Sequence, residues 1–178
     1  MLSTTDEVAL CGFRLGRVPV NVDRARLLAR HAHRGQTQAS GEPLVDHIAR
    51  VVAATPEFAR PVAWLHEVLE WTSVSEEELL TEGATDDELR AVRLLTRTVG
   101  RGSGSGYLAH VAMIARAGGM AGRLARIVKT ADLEDRLRHS APGTLGARPP
   151  YEQALKMVLA ASAAQPLPVP EPAESPAA

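Results

Sequence analysis

The sequence predicts an all-α protein, and three observations lead to this prediction. Apolar residues recur at helical spacing along most of the chain, often behind a residue that caps helix N-termini. The composition combines 45% hydrophobic residues with only 3% aromatic ones, so the core must consist mainly of Ala, Leu and Val, which suits closely packed helices. No pair of alternating segments predicts a β-hairpin. We therefore expect a bundle of about seven to nine helices.

Length and charge limit the possible organisation. A chain of 178 residues and 19.0 kDa is long enough for one domain with a core and too short for two ordinary ones. A net charge of −1 and a pI of about 6.6 give no basic field that would draw the protein to nucleic acid or to an anionic membrane. We expect a lead-in over residues 1–20, a helical domain over 21–164 and a disordered Pro/Ala-rich tail over 165–178.

Cysteine usage and the N-terminal sequence indicate the type of site and the location. Cys11 is the only cysteine, which excludes an intrachain disulfide and a thiolate metal cluster, so a metal would need His and carboxylate ligands. No segment has the roughly 18 consecutive apolar residues of a membrane helix, and no secretion signal begins the sequence. We expect a cytoplasmic protein without a membrane partner, and the sequence leaves its oligomeric state open.

The individual helices follow from caps, breakers and apolar stripes. The first is predicted from an N-cap at Asp23 to His33, where Gly35 ends it, and the second from Leu44 to Ala54 behind Pro43. The others are a central helix over 61–72, a short helix with the capping box of Ser75 and Glu78, a helix starting at Thr85 or Asp86, and helices over 107–117, 120–139 and 151–163. The Gly/Ser-rich residues 101–106 lack the G-x-x-x-x-G-K-[ST] pattern, which favours a flexible connector over a phosphate-binding loop.

Three polar residues interrupt the apolar central helix. His66, Glu67 and Glu70 are spaced so that, at about 100° per residue, all three can face one cleft. Imidazole beside carboxylate is typical of divalent-metal sites. The alternative is a histidine paired with a neighbouring acid on a half-exposed helix, with no metal.

Two further residues extend this pattern. His47 shares the apolar face of its helix with Leu44, Ile48 and Val51, and Asp132 directly follows a buried stripe. A buried imidazole needs a partner, either a backbone carbonyl or a metal shared with His66. The candidate metal ligands are therefore His47, His66, Glu67 and Asp132 on three helices. Two imidazoles with carboxylates suit Mn, Fe or Zn better than Mg or Ca.

Four segments resemble the motifs of one family in the same order. They are AHRGQTQASGEPLVDHIARV, LHEVLEWT, LLTRT and IVKTADLEDRL, within residues 23–140. They resemble the HD-domain metal phosphohydrolases, and among them the small RelA/SpoT-type guanosine polyphosphate hydrolases. The resemblance implies an all-α HD-type bundle, a nucleotide substrate and a divalent ion, which we expect to be Mn²⁺.

The resemblance also assigns roles to individual residues. It implies that His47, His66, Glu67 and Asp132 hold the metal, and that Glu70 together with Glu67 serves catalysis, Glu70 by orienting or activating the attacking water. It places Gln38, Ser40, Gly41 and Glu42 in a loop near the nucleotide base, and Arg97, Lys129 and Arg136 at positions that approach the substrate.

Several residues depart from the family pattern. Glu67 replaces an aspartate, Trp71 the second acid of an acidic pair, Gln38 an arginine, Leu44 an aromatic residue, Ile48 a proline and Arg136 an asparagine. The changes at Gln38, Leu44 and Trp71 make an HD-fold hydrolase of another nucleotide or phosphoester the first alternative. Glu67 and Trp71 together make a non-catalytic binding or regulatory module the second.

Overall fold

The computed structural model describes residues 21–97, 104–139 and 150–165. The predicted lead-in, and the predicted tail beyond Gln165, lie outside these residues. The α-helices are α1 (Val22–Ala32), α2 (Leu44–Ala53), α3 (Arg60–Leu65), α4 (Val68–Trp71), α5 (Glu76–Thr81), α6 (Asp86–Leu95), α7 (Gly104–Arg116), α8 (Gly119–His139) and α9 (Tyr151–Ala164). A short 3₁₀ helix, Glu57–Ala59, precedes α3. In the described ranges, extended pairing is limited to one isolated bridge between Thr37 and Pro43, so the all-α prediction is confirmed.

The N-terminal caps account for where several helices begin. Capping boxes at Ser75 and Thr85 begin α5 and α6, each with a glutamate three residues on that bonds back to the cap. Helix α1 is capped by Asn21, whose side chain accepts from the backbone N–H of Asp23. The prediction that Asp23 is the cap was wrong, because the asparagine two residues earlier supplies the acceptor.

The central helix is broken at the predicted metal ligands. We predicted one helix over 61–72, but α3 ends at Leu65 and α4 begins at Val68. The carbonyl of Ala63, which in a continuous helix would accept the N–H of Glu67, accepts a 2.6 Å hydrogen bond from the ring of His66. At this turn the helical hydrogen bond to the Ala63 carbonyl is therefore replaced by one that fixes the orientation of the His66 ring.

The predicted connector overlaps the beginning of a helix. Helix α7 begins at Gly104, so residues 104–106 form its first turn rather than a flexible link. Residues 101–103 lie outside the described residues. The helix begins three residues earlier than predicted, with glycine and serine in the first turn, where intrahelical N–H bonds are not yet required.

Helix α8 is the organising element of the bundle. It packs against α2, α3, α6, α7 and α9, and its apolar residues contribute to both cores. The larger core lies among α1 to α6 and α8, and includes Ile114 of α7. A smaller core joins α7, α8 and α9 around Tyr107, Val111, Leu133, Ala154 and Val158. None of the described helices is both long enough and apolar enough to cross a bilayer. Since α8 touches α2 and α3, its polar residues can meet those of both helices.

Candidate metal centre

The four predicted metal ligands converge in the interior. His47 comes from α2, His66 and Glu67 from the turn between α3 and α4, and Asp132 from α8, and all four are buried. One donor atom from each lies within 4.8 Å of the others. His47 Nε2 is 3.3 Å from Asp132 Oδ1 and 4.0 Å from Glu67 Oε1, and His66 Nε2 is 3.5 Å from Glu67 Oε1. Donors this close, from three segments of the chain, can share one cation.

The Nε2 atoms of both imidazoles belong to this cluster of donor atoms. His47 Nδ1 lies 2.7 Å from Asp135 Oδ2, and His66 Nδ1 lies 2.6 Å from the carbonyl of Ala63. Each Nδ1 therefore carries a proton and donates it, and in a neutral ring this tautomer has its lone pair on Nε2. In the described part of the protein neither buried Nε2 has a hydrogen-bond partner. Ligating histidines are held in this way in metal sites, so the donor set fits a divalent ion.

The two carboxylates, in contrast, are fully hydrogen-bonded. Asp132 Oδ1 accepts from Arg136 Nε at 2.6 Å and Oδ2 from Lys129 Nζ at 2.7 Å. Glu67 Oε1 accepts from Arg136 Nη2 at 2.6 Å and Oε2 from the indole N–H of Trp71 at 2.7 Å. Every oxygen of the two acids already has a protein donor.

These contacts set the charge of each group. Burial raises the pKa of Asp132, but Arg136 and Lys129 outweigh burial and hold that pKa well below its usual range. Burial likewise opposes ionisation of Glu67, and Arg136 and then His66 bring the pKa of Glu67 below its usual value. Burial lowers the pKa of His66 despite the two nearby acids. The site therefore combines ionised carboxylates with a neutral His66 imidazole, the protonation states that metal ligands require.

A chain of charged groups extends outward from His47. Asp135, which holds His47 Nδ1, accepts from Arg50 Nε at 2.7 Å and from Arg50 Nη2 at 3.0 Å. The same guanidinium donates to both carboxylate oxygens of Glu42, with Nη2 3.0 Å from Oε2. Arg50 lowers the pKa of Glu42, with burial opposing it. We call Glu42, Arg50 and Asp135 the outer bridge, and Glu67, Arg136 and Asp132 the inner bridge.

A cleft opens above the inner bridge. Its volume is about 110 Å³, room for a phosphoryl group and several waters. Its lining includes His66, Glu67, Glu70, Trp71, Leu95, Arg97, Tyr107, His110, Lys129, Asp132, Arg136 and Tyr151. Glu70 Oε2 accepts the backbone N–H of Arg97 at 2.8 Å, which fixes this carboxylate at the cleft. Lys129 Nζ lies 5.2 Å, and the Arg97 guanidinium 5.6 Å, from the ring centre of Tyr107. The cleft is therefore lined by cations and has the predicted acids at its floor.

The predicted base-binding loop lies on the other side of His47. Glu42 belongs to the outer bridge, and Gln38 Nε2 donates to Glu42 Oε2 at 3.0 Å. Gly41 has a φ of +86°, which favours glycine at this turn, and Ser40 Oγ accepts the N–H of Glu42 at 3.4 Å. Among the residues the structure describes, the cleft lining includes none of these four. Their role in substrate binding stays a prediction.

Sequence reasoning missed several functional candidates. Asp135 lies three residues after Asp132 and Arg50 three after His47, so helical spacing could have paired both with the ligands. Tyr107, His110 and Tyr151 reach the cleft from α7 and α9, and no motif marks them. Burial and the charge of Lys129 lower the pKa of His110 to about 4, so this imidazole is neutral near pH 7.

Comparisons with known proteins identify the fold. No family model matches the chain, and no curated protein matches it by sequence. A solved structure of a metazoan orthologue of SpoT, described as hydrolysing ppGpp and having a role in starvation responses, superposes with a TM-score of 0.62. The two are 22% identical, and the match covers 79% of this chain and 84% of the other. The HD-type helical fold that the sequence motifs implied is therefore confirmed.

Proposed function

We propose that this protein is a metal-dependent phosphohydrolase that removes pyrophosphate from the 3′ position of guanosine polyphosphates, the alarmone ppGpp among them. The observation that carries the proposal is the convergence of two ionised carboxylates with two imidazole Nε2 atoms that have no hydrogen-bond partner among the described residues. Three of the four residues, His66, Glu67 and Asp132, line the cation-lined cleft. The fold shared with a ppGpp hydrolase supports the substrate class. A cytoplasmic location, where such a nucleotide would be met, belongs to the same proposal.

The metal would be held by His47, His66, Glu67 and Asp132, and Mn²⁺ suits this mixture of nitrogen and oxygen donors. When bound, such an ion lowers the pKa of a water far below its value in bulk solvent, towards about 7, and polarises a phosphoryl oxygen. Asp135 and the carbonyl of Ala63 keep the two rings in the tautomer that offers Nε2. These partners orient the site without contacting substrate.

Other residues of the cleft would handle the water and the phosphates. Glu70, fixed by the Arg97 backbone, orients the attacking water and accepts its proton. Lys129 and Arg97 face the cleft from α8 and from the end of α6, and would neutralise charge on the phosphoryl oxygens. The ring of Tyr107 lies against both cations and holds them in position. Each role belongs to a group that already lines the cleft.

A hydrolase of another nucleotide or phosphoester is the second candidate. The observation that favours it is the Gln38 amide, which donates to Glu42 inside its own loop where the family has an arginine near the base. A non-catalytic binding module is the third, favoured by the indole of Trp71 bonded to Glu67 where the family has an acid.

Hydrolysis assays with Mn²⁺ test the proposal and separate the candidates. We expect pyrophosphate release from guanosine tetraphosphate, and we expect Glu70→Gln to lower kcat about 100-fold while Mn²⁺ affinity stays within twofold. Glu77→Gln, an exposed carboxylate on α5, is the matched control and should retain full activity.

A panel of other nucleotides and phosphoesters runs beside this assay. Turnover of another substrate alone would support the second candidate. A metal-loaded protein that turns over nothing would contradict both hydrolase proposals and support the binding module.

A further inference from the structure

We propose that Arg136 is a tethered cation that competes with the divalent metal, so that the metal binds only when the guanidinium leaves the ligand carboxylates. This inference rests on the proposed metal site and concerns how that site is controlled. It goes beyond the predicted role of Arg136, which was contact with the substrate.

Arg136 occupies the same oxygen atoms that a metal would need. Its Nη2 and Nε atoms each lie 2.6 Å from a carboxylate oxygen, Oε1 of Glu67 and Oδ1 of Asp132. These two oxygens are the ones that approach the histidines, at 3.5 Å from His66 Nε2 and 3.3 Å from His47 Nε2. The guanidinium therefore bridges the two acids on the side where the imidazole nitrogens converge.

The charges of the cluster favour competition over coexistence. Glu67 and Asp132 bring two negative charges, and Arg136 and Lys129 neutralise both by direct contact. A divalent ion added to this arrangement would place two further positive charges beside a guanidinium, with little water to screen them, because both acids are buried. Removing Arg136 would leave the acids with a net negative charge that the metal can neutralise.

The cleft offers the Arg136 side chain an alternative position. Its side chain is 25% exposed, against 2% for Asp132 and 7% for Glu67, and it lines the cleft. A guanidinium turned away from the acids would enter the space where the phosphoryl group is proposed to bind. Bidentate contact with phosphate oxygens is a favourable alternative for arginine. The same residue could thus close the site when it is empty of substrate and contact the phosphate when substrate is bound.

Calorimetric titration with Mn²⁺ alone tests the competition. We expect Arg136→Gln to bind Mn²⁺ at least tenfold more tightly than the wild type, since one charge-assisted contact to each acid is removed. Arg138→Gln is the matched control, because Arg138 lies on the same helix, is exposed and pairs with Glu134 at 3.0 Å. Its affinity should remain within twofold of the wild type. Equal or weaker binding by Arg136→Gln, or no binding by either protein, would overturn the proposal.

Thermal unfolding gives a second readout. Without metal, Arg136→Gln should melt below the wild type, because two buried acids lose a donor. Mn²⁺ should raise the Tm of this variant more than that of the wild type. Should Arg136→Gln fail to fold, Arg136→Lys keeps the charge but lacks the fork that spans both acids, and we expect its Mn²⁺ affinity to rise by a smaller factor.

Neither readout involves hydrolysis. An affinity difference without turnover would therefore contradict the proposed function and leave this inference standing, whereas turnover with unchanged affinity would do the reverse.

Discussion

Two arginines bridge pairs of carboxylates on opposite sides of His47, and they differ in what they face. In the outer bridge, Arg50 joins Glu42 to Asp135, which holds His47 Nδ1. In the inner bridge, Arg136 joins Glu67 to Asp132, beside His47 Nε2. The outer bridge contacts His47 through Nδ1, which is hydrogen-bonded to Asp135. The inner bridge lies beside the Nε2 atoms of His47 and His66, which have no hydrogen-bond partner among the described residues.

The comparison shows how similar contacts come to have opposite consequences. An arginine that holds the partner of a ligand stabilises the orientation of that ligand. An arginine that holds the ligand itself competes with whatever the ligand would bind. The position of the imidazole lone pair, rather than the ion pair, decides which consequence follows.

Removing the residue between the bridges should have the largest effect. His47→Ala deletes one proposed ligand and the partner of Asp135, so we expect Mn²⁺ affinity to fall at least 100-fold and hydrolysis to fall to background. His31→Ala, an exposed histidine of α1, should leave both unchanged. Metal analysis after dialysis and the pyrophosphate assay measure the two effects. Full metal content in His47→Ala would show that the imidazole is only a core residue.

Cutting the outer bridge should weaken metal binding, the opposite sign from Arg136→Gln. In Arg50→Gln, Asp135 and Glu42 lose their shared donor, so we expect Mn²⁺ affinity to fall about threefold to tenfold. The free energy of unfolding should fall by about 1–3 kcal/mol. Calorimetry and urea unfolding measure these quantities. A rise in affinity would mean that both arginines act on the site through charge alone.

The pH dependence of stability should separate the cleft from the outer bridge. The pKa of His110 is about 4 in the folded protein, below its ordinary value of 6.5, so the unfolded chain takes up the proton first as the pH falls. The contribution of His110 to the free energy of unfolding is complete above pH 6.5 and is lost as the pH falls from 6.5 to 4. The outer bridge depends on Glu42 and Asp135, whose pKa values are lowered, so its contribution is lost only at more acidic pH.

We therefore expect the wild type to lose about 1 kcal/mol more stability than His110→Gln between pH 7 and pH 5, after allowance for solvent screening. Urea unfolding at the two pH values measures the difference. Parallel losses in both proteins would place the pKa of His110 near its ordinary value.

The smallest effect should come from Trp71. Trp71→Phe removes the 2.7 Å bond from the indole to Glu67 Oε2 but leaves the Arg136 contact on Oε1. Because Trp71 is 49% exposed, we expect a loss of about 1 kcal/mol or less in the free energy of unfolding and a change in Mn²⁺ affinity within threefold. A larger gain in affinity would make Trp71, rather than Arg136, the main competitor of the metal.

Local sequence signals predicted most of the fold. The caps at Ser75 and Thr85 and the apolar stripe of α2 place helix boundaries within a residue or two, because each signal acts within one turn of the chain. The break after Leu65 was not predictable in this way. It depends on a ring that bonds to a carbonyl three residues earlier, which the apolar periodicity does not reveal.

The proposed metal ligands could be predicted from local sequence, whereas the inner bridge could not. His47, His66 and Glu67 could be proposed because each is a polar residue in an apolar stretch, and Asp132 because it directly follows an apolar stripe. The inner bridge depends on a contact across 69 positions, from Arg136 to Glu67, and its sequence position predicted only a basic group near phosphate. Long-range side-chain contacts of this kind require the packing of α8 against the α3–α4 turn.

The outer bridge also joins two parts of the molecule that would otherwise act separately. Glu42 stands in the loop between α1 and α2, and through Arg50 and Asp135 it is connected to the ring of His47. A molecule that displaced Glu42 from Arg50 would weaken the contacts that orient the His47 ring. A cation bound to His47 would in turn make the loop more rigid. A ligand bound at the loop or at His47 would thus change the rigidity of the other end of the outer bridge.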